Sequence, residues 1–162
     1  MARRPVPSFV YVLVVVRHLR RYLLIRERKH GQTWYLPAGG VEPGESLVQA
    51  AVRETLEEAS VEVHPRGLLW FDHQWITTPG DGVLAAKWRF VLVADPVGSP
   101  APKRQADRHS LGARWVEPAE LTSYPLRDFE VVPIVSHVDA GAPLMPINLY
   151  NALPLPPDLD RD

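Results

Sequence analysis

The chain has 162 residues, of which 46% are hydrophobic and 23% are charged, and its formal net charge is -1. These values fit one globular domain with its own core, and they exclude a global attraction to nucleic acid or to an anionic membrane. The absence of cysteine excludes disulfides, thiolate metal sites and a cysteine nucleophile, and it is consistent with a reducing, cytoplasmic location.

The N-terminal part predicts a β-hairpin. Residues 9–16 and 22–26 are short β-rich runs separated by a basic turn at 17–21. Arg3 and Arg4 precede the first run, as in a signal peptide, but the run is β-branched and no small-residue cleavage site follows it. A strand is therefore expected here. No run approaches the roughly 18 apolar residues of a membrane-spanning helix.

Residues 29–59 predict a loop, a turn and a helix. A polar loop at 29–32 and the run 34–36 lead to residues 37–40, where two glycines predict a tight turn. Residues 42–45 fit a type II turn, because the proline and the glycine stand at its second and third positions. Ser46 and Gln49 form a capping box for a helix to about residue 59. Its apolar stripe, which is expected to face the core, is Val48, Val52, Leu56 and Ala59.

The rest of the chain mixes strands and helices irregularly. Strands are predicted at 61–63, 67–75, 85–95 and 113–116, a loop at 96–107, and a turn or short helix at 118–121. A helix is predicted at 129–138, in which Pro133 imposes a kink or a late start. We expect a single α+β domain over 1–140, in the broad α/β class, and a Pro- and Leu-rich tail over 141–162 that wraps the surface or is loosely ordered.

Three carboxylates on the predicted helix suggest metal chemistry. Glu54, Glu57 and Glu58 are three and four residues apart and project from one side. The alternative is a salt-bridged surface helix, since Arg53 and Glu57 are an i,i+4 pair. Clustered carboxylates repel one another, and a hard divalent cation reverses that repulsion because Mg²⁺ prefers oxygen ligands.

The spacing of these residues resembles the Nudix box: Gly39, then Glu45, then Arg53-Glu54 and Glu57-Glu58. Thr55 and Ser60 depart from the pattern, standing for an aliphatic residue and a glycine, and neither position holds a metal in the family. The flanking segments 34–40 and 114–121 are similar to the strands around the box, so the resemblance spans most of residues 8–138. It implies the Nudix fold, an α/β/α sandwich around a mixed β-sheet.

The resemblance also implies site residues and a cofactor. By position, the Mg²⁺ ligands, which would also accept Mn²⁺, are Glu54, Glu57, Glu58 and the carbonyl of Ala38. Arg53 would orient the cluster through an ion pair with Glu45. Glu54 is the first choice of general base. Asp107 and His109, in the loop before the closing strand, are further candidates, and the alternative is an ordinary solvated loop.

The substrate implied is a small nucleotide in which a pyrophosphate bond is cleaved. Segments 34–39, 106–111 and 125–128 are most similar to the subgroup that acts on oxidised guanine nucleoside diphosphates, while ADP-ribose and dinucleotides stay open. Arg26 and Arg28 would contact phosphate or base, or are surface arginines, beside the backbone of Gly39 and Gly40. Aromatic residues could stack a base or belong to the core: Trp34, Trp70, Phe71 and Trp75.

Two other classes of function remain. Some Nudix-like domains bind nucleotides as sensors without chemistry, but they typically lose the box glutamates, which this chain keeps. The run 153–157 could instead serve as a polyproline ligand for a partner protein. The resemblance is compatible with a homodimer, and no nucleic-acid or membrane partner is expected.

Overall fold

The computed structural model describes residues 6–78, 80, 82–98 and 100–147. Two α-helices, α1 (Leu47–Ala59) and α2 (Val131–Asp139), accompany eight strands. The strands are β1 (Ser8–His18), β2 (Arg21–Glu27), β3 (Trp34–Tyr35), β4 (Ala38–Gly40), β5 (Val63–Thr77), β6 (Leu84–Pro96), β7 (Ser110–Val116) and β8 (Met145–Pro146). Short 3₁₀ turns lie at His30–Gln32 and Pro118–Ser123.

The strands form one mixed sheet in the order β3-β2-β1-β6-β5-β8, with β4 paired to β1 and β7 paired to β2. β1 and β6 are parallel, and the other strand pairs are antiparallel. The predicted hairpin is confirmed, with Arg17 opposite Tyr22. The predicted mixed-sheet α+β fold is therefore confirmed.

β1 is buried on both faces and separates two hydrophobic clusters. Leu13 and Val15 face the cluster that includes α2, whereas Val12 and Val14 face the cluster that includes α1. Successive strand residues point to opposite faces, so a strand covered on both sides is an unbroken apolar run. This arrangement is the expected α/β/α sandwich.

Helix α1 begins and ends as predicted. The Ser46 hydroxyl accepts a hydrogen bond from the Gln49 backbone N–H, and the Gln49 side chain accepts one from the Ser46 N–H. Ser60 ends the helix in the left-handed conformation, with φ of 56°. The positive φ of 80° at Gly44 agrees with the predicted type II turn.

The predicted apolar stripe of α1 is confirmed at Ala59, which is buried, and Val52 packs against the same core, but the prediction is wrong for Leu56. Leu56 is 50% exposed, and the buried residues of the helix are Ala50, Ala51, Thr55 and Ala59. Ala51, Thr55 and Ala59 are spaced four residues apart on the face that meets the sheet, and Leu56 is turned about 100° away from Thr55. Thr55 fits this buried face because its hydroxyl donates to the Ala51 carbonyl at 2.7 Å.

The predicted tight turn at 37–40 is also wrong, because residues 38–40 form strand β4, and Gly39 and Gly40 are not among the residues with positive φ. Gly39 is needed for space instead, since a Cβ there would overlap the Glu54 carboxylate.

Four predicted elements have different bounds. Residues 61–63 and 67–75 belong mostly to one strand, β5, which contains two bulges, and β7 begins at Ser110 rather than at 113. α2 begins at Val131, later than the predicted residue 129, and Pro133 therefore lies in its first turn, where a backbone N–H has no helical acceptor.

Within the tail, β8 pairs with β5, while residues 153–157 lie outside the described residues. In the part of the chain that is described, no helix is long and apolar enough to span a membrane.

Candidate active site

Strand β4 and helix α1 lie side by side and bring the box residues together. The Ala38 backbone N–H donates to Glu58 Oε2 at 3.0 Å, and Glu54 fills the space beside Gly39. Pro37 and Val41 make the flanking backbone bonds to β1. The backbone groups of Ala38 therefore point away from β1, since ladder bonds alternate along an antiparallel strand. The Ala38 carbonyl thus opens on the side of the carboxylates.

Arg53 joins four parts of this site. Its guanidinium donates to both oxygens of Glu45, at 2.8 and 2.9 Å, to Glu54 at 2.7 Å and to the Gly40 carbonyl at 2.9 Å. Glu57 Oε2 lies 3.5 Å from Nη1. The predicted ion pair of Arg53 with Glu45 is therefore present, and the same arginine also holds the carboxylate of Glu54.

Glu57 lies between the helix and the loop before β7. Its Oε2 is 3.4 Å from His109 Nδ1, and His109 Nε2 accepts a hydrogen bond from Arg108 at 2.8 Å. Lys103 anchors the same loop by donating to the Glu57 carbonyl at 2.7 Å and to Asp107. The structure thus places His109, but not Asp107, against a box carboxylate.

The pKa shifts differ among the carboxylates of the box. Burial raises the pKa of Glu58 to about 8, against the lowering effect of the Ala38 N–H. Burial also raises the pKa of Glu54, although its hydrogen bond with Arg53 works in the opposite direction. The hydrogen bonds from Arg53 lower the pKa of Glu45. Glu54 and Glu58 are therefore carboxylates whose negative charge the surrounding protein does not fully compensate.

A pocket of about 510 Å³ opens beside β4 and α1. Glu58, Ala38, Gly39 and His109 line it, and Glu54 and Glu57 contact lining residues. Cationic side chains surround the rest of the pocket: Arg28, Lys29, Lys87, Arg89, Arg108 and Arg127. A pocket of this size and charge suits a small phosphorylated ligand.

Some predicted site residues lie elsewhere. Arg26 donates to the Gln32 carbonyl and lines a separate depression on the surface. Asp107 organises its loop by accepting hydrogen bonds from Lys103 and from the backbone N–H groups of His109 and Ser110, which hold its pKa below the usual range. Arg28 does line the pocket and donates to the Asp107 carbonyl at 2.7 Å.

The four aromatic residues suggested for base stacking do not line this pocket. Trp34 and Trp70 pack against the core, and Phe71 and Trp75 are more than half exposed. Tyr11 and Tyr35 are the aromatic lining residues instead. Tyr11 was not identified from the sequence, although its place two residues before Leu13 on an alternating strand puts both side chains on one face.

A partly buried ion network, also missed in the sequence, lies beside the pocket. Arg89 donates to Asp72 at 2.7 Å and to Glu130 at 2.6 Å, and Glu130 also accepts a short hydrogen bond from the Tyr35 hydroxyl. The spacing of Lys87 and Arg89 on one strand is the sequence signal for two cations on the same face. Because Asp72 and Glu130 already pair with Arg89, this arginine serves mainly to hold these two carboxylates in place and less to bind an anion.

The fold and this arrangement of carboxylates define a Nudix-type hydrolase domain. The NUDIX domain model matches residues 7–134, and the chain therefore belongs to the Nudix family. The 8-oxo-dGDP phosphatase NUDT18 of Mus musculus is 36% identical over 131 residues, which cover 78% of this chain and 37% of that protein. The phosphatase NudJ of Escherichia coli (strain K12) is 30% identical over 113 residues, covering 69% of this chain and 70% of NudJ.

Solved structures agree with this family. A NUDIX hydrolase from Nitrosomonas europaea superposes with a TM-score of 0.70 at 29% identity, covering 88% of this chain and 95% of that one. The resemblance inferred from the box is thus confirmed. The chain spans little more than a third of the length of NUDT18.

Proposed function

We propose that this chain is a divalent-metal-dependent hydrolase that cleaves the pyrophosphate bond of nucleoside diphosphates, with oxidised guanine nucleotides as its preferred substrates. The observation that carries the proposal is the position of the α1 carboxylates. Glu58 lines a cationic pocket, while Glu54 and Glu57 contact the lining residues Gly39 and His109. Anionic and cationic groups thus meet where a metal-bound diphosphate would need both.

The donor atoms fit Mg²⁺, and Mn²⁺ would take the same oxygens. Glu54, Glu57, Glu58 and the Ala38 carbonyl supply hard oxygen ligands. Burial raises the pKa of Glu54 and of Glu58, so a bound cation would stabilise their ionised forms. Among the described residues, no three Asp, Glu or His side chains form a ready metal cage. A partial shell of this kind suits Mg²⁺, which usually keeps waters and substrate phosphates as ligands.

The residues of the site would have separate roles in hydrolysis. A bound divalent cation would neutralise diphosphate oxygens and acidify a coordinated water. Arg53 fixes the orientation of Glu54, which we assign as the general base, because a carboxylate with a raised pKa binds a proton more readily. His109 is the second candidate, since it contacts Glu57. Asp107 serves to shape the loop.

The substrate proposal rests on charge and on relatives. The cationic wall of the pocket matches an anionic phosphate chain, and relatives of the matched domain at 32–36% identity are named 8-oxo-dGDP phosphatases. NudJ is named only as a phosphatase. ADP-ribose and dinucleotides carry the same pyrophosphate chemistry and belong in any substrate comparison.

The decisive experiment is a hydrolysis screen over nucleoside di- and triphosphates, oxidised guanine nucleotides, ADP-ribose and dinucleotides, with Mg²⁺ and with a chelator. The products are separated by chromatography, because ADP-ribose and dinucleotides give two phosphate monoesters and no free phosphate. We expect metal-dependent hydrolysis that is fastest with 8-oxo-dGDP. Glu57→Gln should lower turnover by orders of magnitude, whereas the exposed control Glu62→Gln should not. Tight nucleotide binding without turnover of any substrate would replace the enzyme with a binding or sensor domain.

A further inference from the structure

Glu27, the last residue of β2, has a carboxylate oxygen without a hydrogen-bond partner. Its Oε1 accepts from Arg127 Nη1 at 2.8 Å, while Oε2 is the buried side-chain polar atom that has no partner in the described part of the chain. The side chain is only 12% exposed, and it lines the pocket. Buried acceptors in native proteins are nearly always paired, so an unpaired one at a pocket wall calls for a donor from outside the chain.

Arg127 stands beside this oxygen in a fixed position. Its guanidinium lies 4.5 Å from the centre of the Tyr35 ring, and its backbone N–H donates to the Trp34 carbonyl at 2.9 Å. Among the described residues, the guanidinium makes no hydrogen bond other than the one to Glu27. An arginine has five N–H donors, so several remain for a ligand in the pocket.

Glu27 and Arg127 therefore place an acceptor and a donor side by side. This pair of groups can distinguish guanine oxidised at C8 from ordinary guanine. On the edge of ordinary guanine, O6 and N7 are both acceptors. Oxidation at C8 places a hydrogen on N7, so the same edge then presents an N–H donor next to carbonyl acceptors. A carboxylate facing N7 accepts from the oxidised base and repels the lone pair of the ordinary one.

We propose that the Glu27–Arg127 pair reads the oxidised edge of the guanine base, with Glu27 accepting from N7–H and Arg127 donating to a neighbouring carbonyl. This inference rests on the proposed function and names the residues that select its substrate. Glu27 and Glu58 are the two acidic residues that line the pocket. Glu58 is assigned to the metal, which leaves Glu27, whose Oε2 is buried and unpaired, as the acceptor for a base.

The test is the ratio of kcat/KM for 8-oxo-dGDP to that for dGDP, measured on one preparation so that any inactive fraction cancels. Glu27→Gln should lower this ratio about 10- to 100-fold, as expected for exchanging one matched base contact. The glutamine amide can donate to N7 of ordinary guanine, so dGDP turnover should rise relative to 8-oxo-dGDP turnover. The exposed control Glu62→Gln should leave the ratio unchanged.

A binding measurement separates this inference from the proposed function. Titration of 8-oxo-dGMP and dGMP in the presence of chelator should show the same loss of preference in Glu27→Gln and in Glu27→Ala. If both nucleotides weaken equally, or if Glu27→Gln lowers both turnover rates by one factor, Glu27 serves the metal site or the fold, and the inference is wrong. If the wild type hydrolyses no diphosphate, the proposed function fails, while the monophosphate titration still decides the base contact.

Discussion

Removal of the Arg53 side chain should damage both the stability and the activity of this domain. Arg53→Ala deletes hydrogen bonds to Glu45, Glu54 and the Gly40 carbonyl, and it leaves partly buried carboxylates without their cation. Hydrogen bonds to charged groups contribute about 1.5–3 kcal/mol each, and the side chain is 23% exposed. Allowing for solvent screening and non-additivity, we expect a loss of about 2–3 kcal/mol.

That loss corresponds to a fall in Tm of about 5–10 °C for a domain of this size. Arg53→Lys keeps the charge but loses the planar fork, and we expect about half of the effect on Tm. Turnover should fall on the order of 100-fold or more in both variants, because a misplaced Glu54 no longer meets its target geometry. Thermal unfolding in chelator separates the stability effect from metal binding, and phosphate release with Mg²⁺ reports the activity.

Arg66→Ala is the matched control, since Arg66 forms an ion pair with Asp95 in which both side chains are more than half exposed. Such a surface pair is worth at most about 1 kcal/mol. If Arg53→Ala and Arg66→Ala shift Tm equally and both retain turnover, α1 is an ordinary salt-bridged surface helix. The assignment of Arg53 as the organiser of the site would then be wrong.

Two further predictions concern local structure. Ser60→Gly should raise the free energy of unfolding by about 1 kcal/mol, because glycine adopts the left-handed φ of 56° without strain. Urea unfolding should then have its midpoint at a higher urea concentration, and an equal gain from Ser60→Ala would contradict this reason. Burial and a hydrogen bond to Asp139 raise the pKa of Tyr22 to about 12. The raised pKa means that the protonated Tyr22 hydroxyl adds about 1–2 kcal/mol to the free energy of unfolding below pH 10, and that this contribution is lost as the pH rises toward 12. Tyr22→Phe should flatten this alkaline slope of stability against pH, and an unchanged slope would refute it.

The parts of the site that were predictable are local in the chain. The capping box at Ser46, the helical spacing of Glu54, Glu57 and Glu58, and the pairing of Arg53 with Glu45 all depend on residues within a few turns of one another. Short-range geometry fixes such relations before any tertiary contact forms.

The pocket wall could not be predicted in the same way. Tyr11 stands opposite Arg89 only because β1 and β6 pair in parallel at one register, and Arg127 reaches Glu27 across 100 residues of chain. A shift of one residue in that register would move each side chain to the other face of the sheet. The buried face of α1 was misjudged for a related reason, since hydrophobicity favoured Leu56, whereas the tertiary packing turns the face with Ala51 and Thr55 toward the sheet. The expected cytoplasmic location and homodimer stay predictions.

The charge balance of α1 gives the physical reason why this helix does not serve stability alone. Burial of Glu54 and Glu58 destabilises their charged forms and raises the pKa of both. The Arg53 guanidinium that contacts Glu54 is also shared with Glu45 and Glu57. A helix selected only for stability would replace such carboxylates, since uncompensated buried charge is costly. The fold instead keeps Gly39 without a side chain, so that the carboxylate of Glu54 fits beside β4. A local arrangement that lowers stability and is supported from several elements is typical of a functional site, and a divalent cation is the partner that would compensate it.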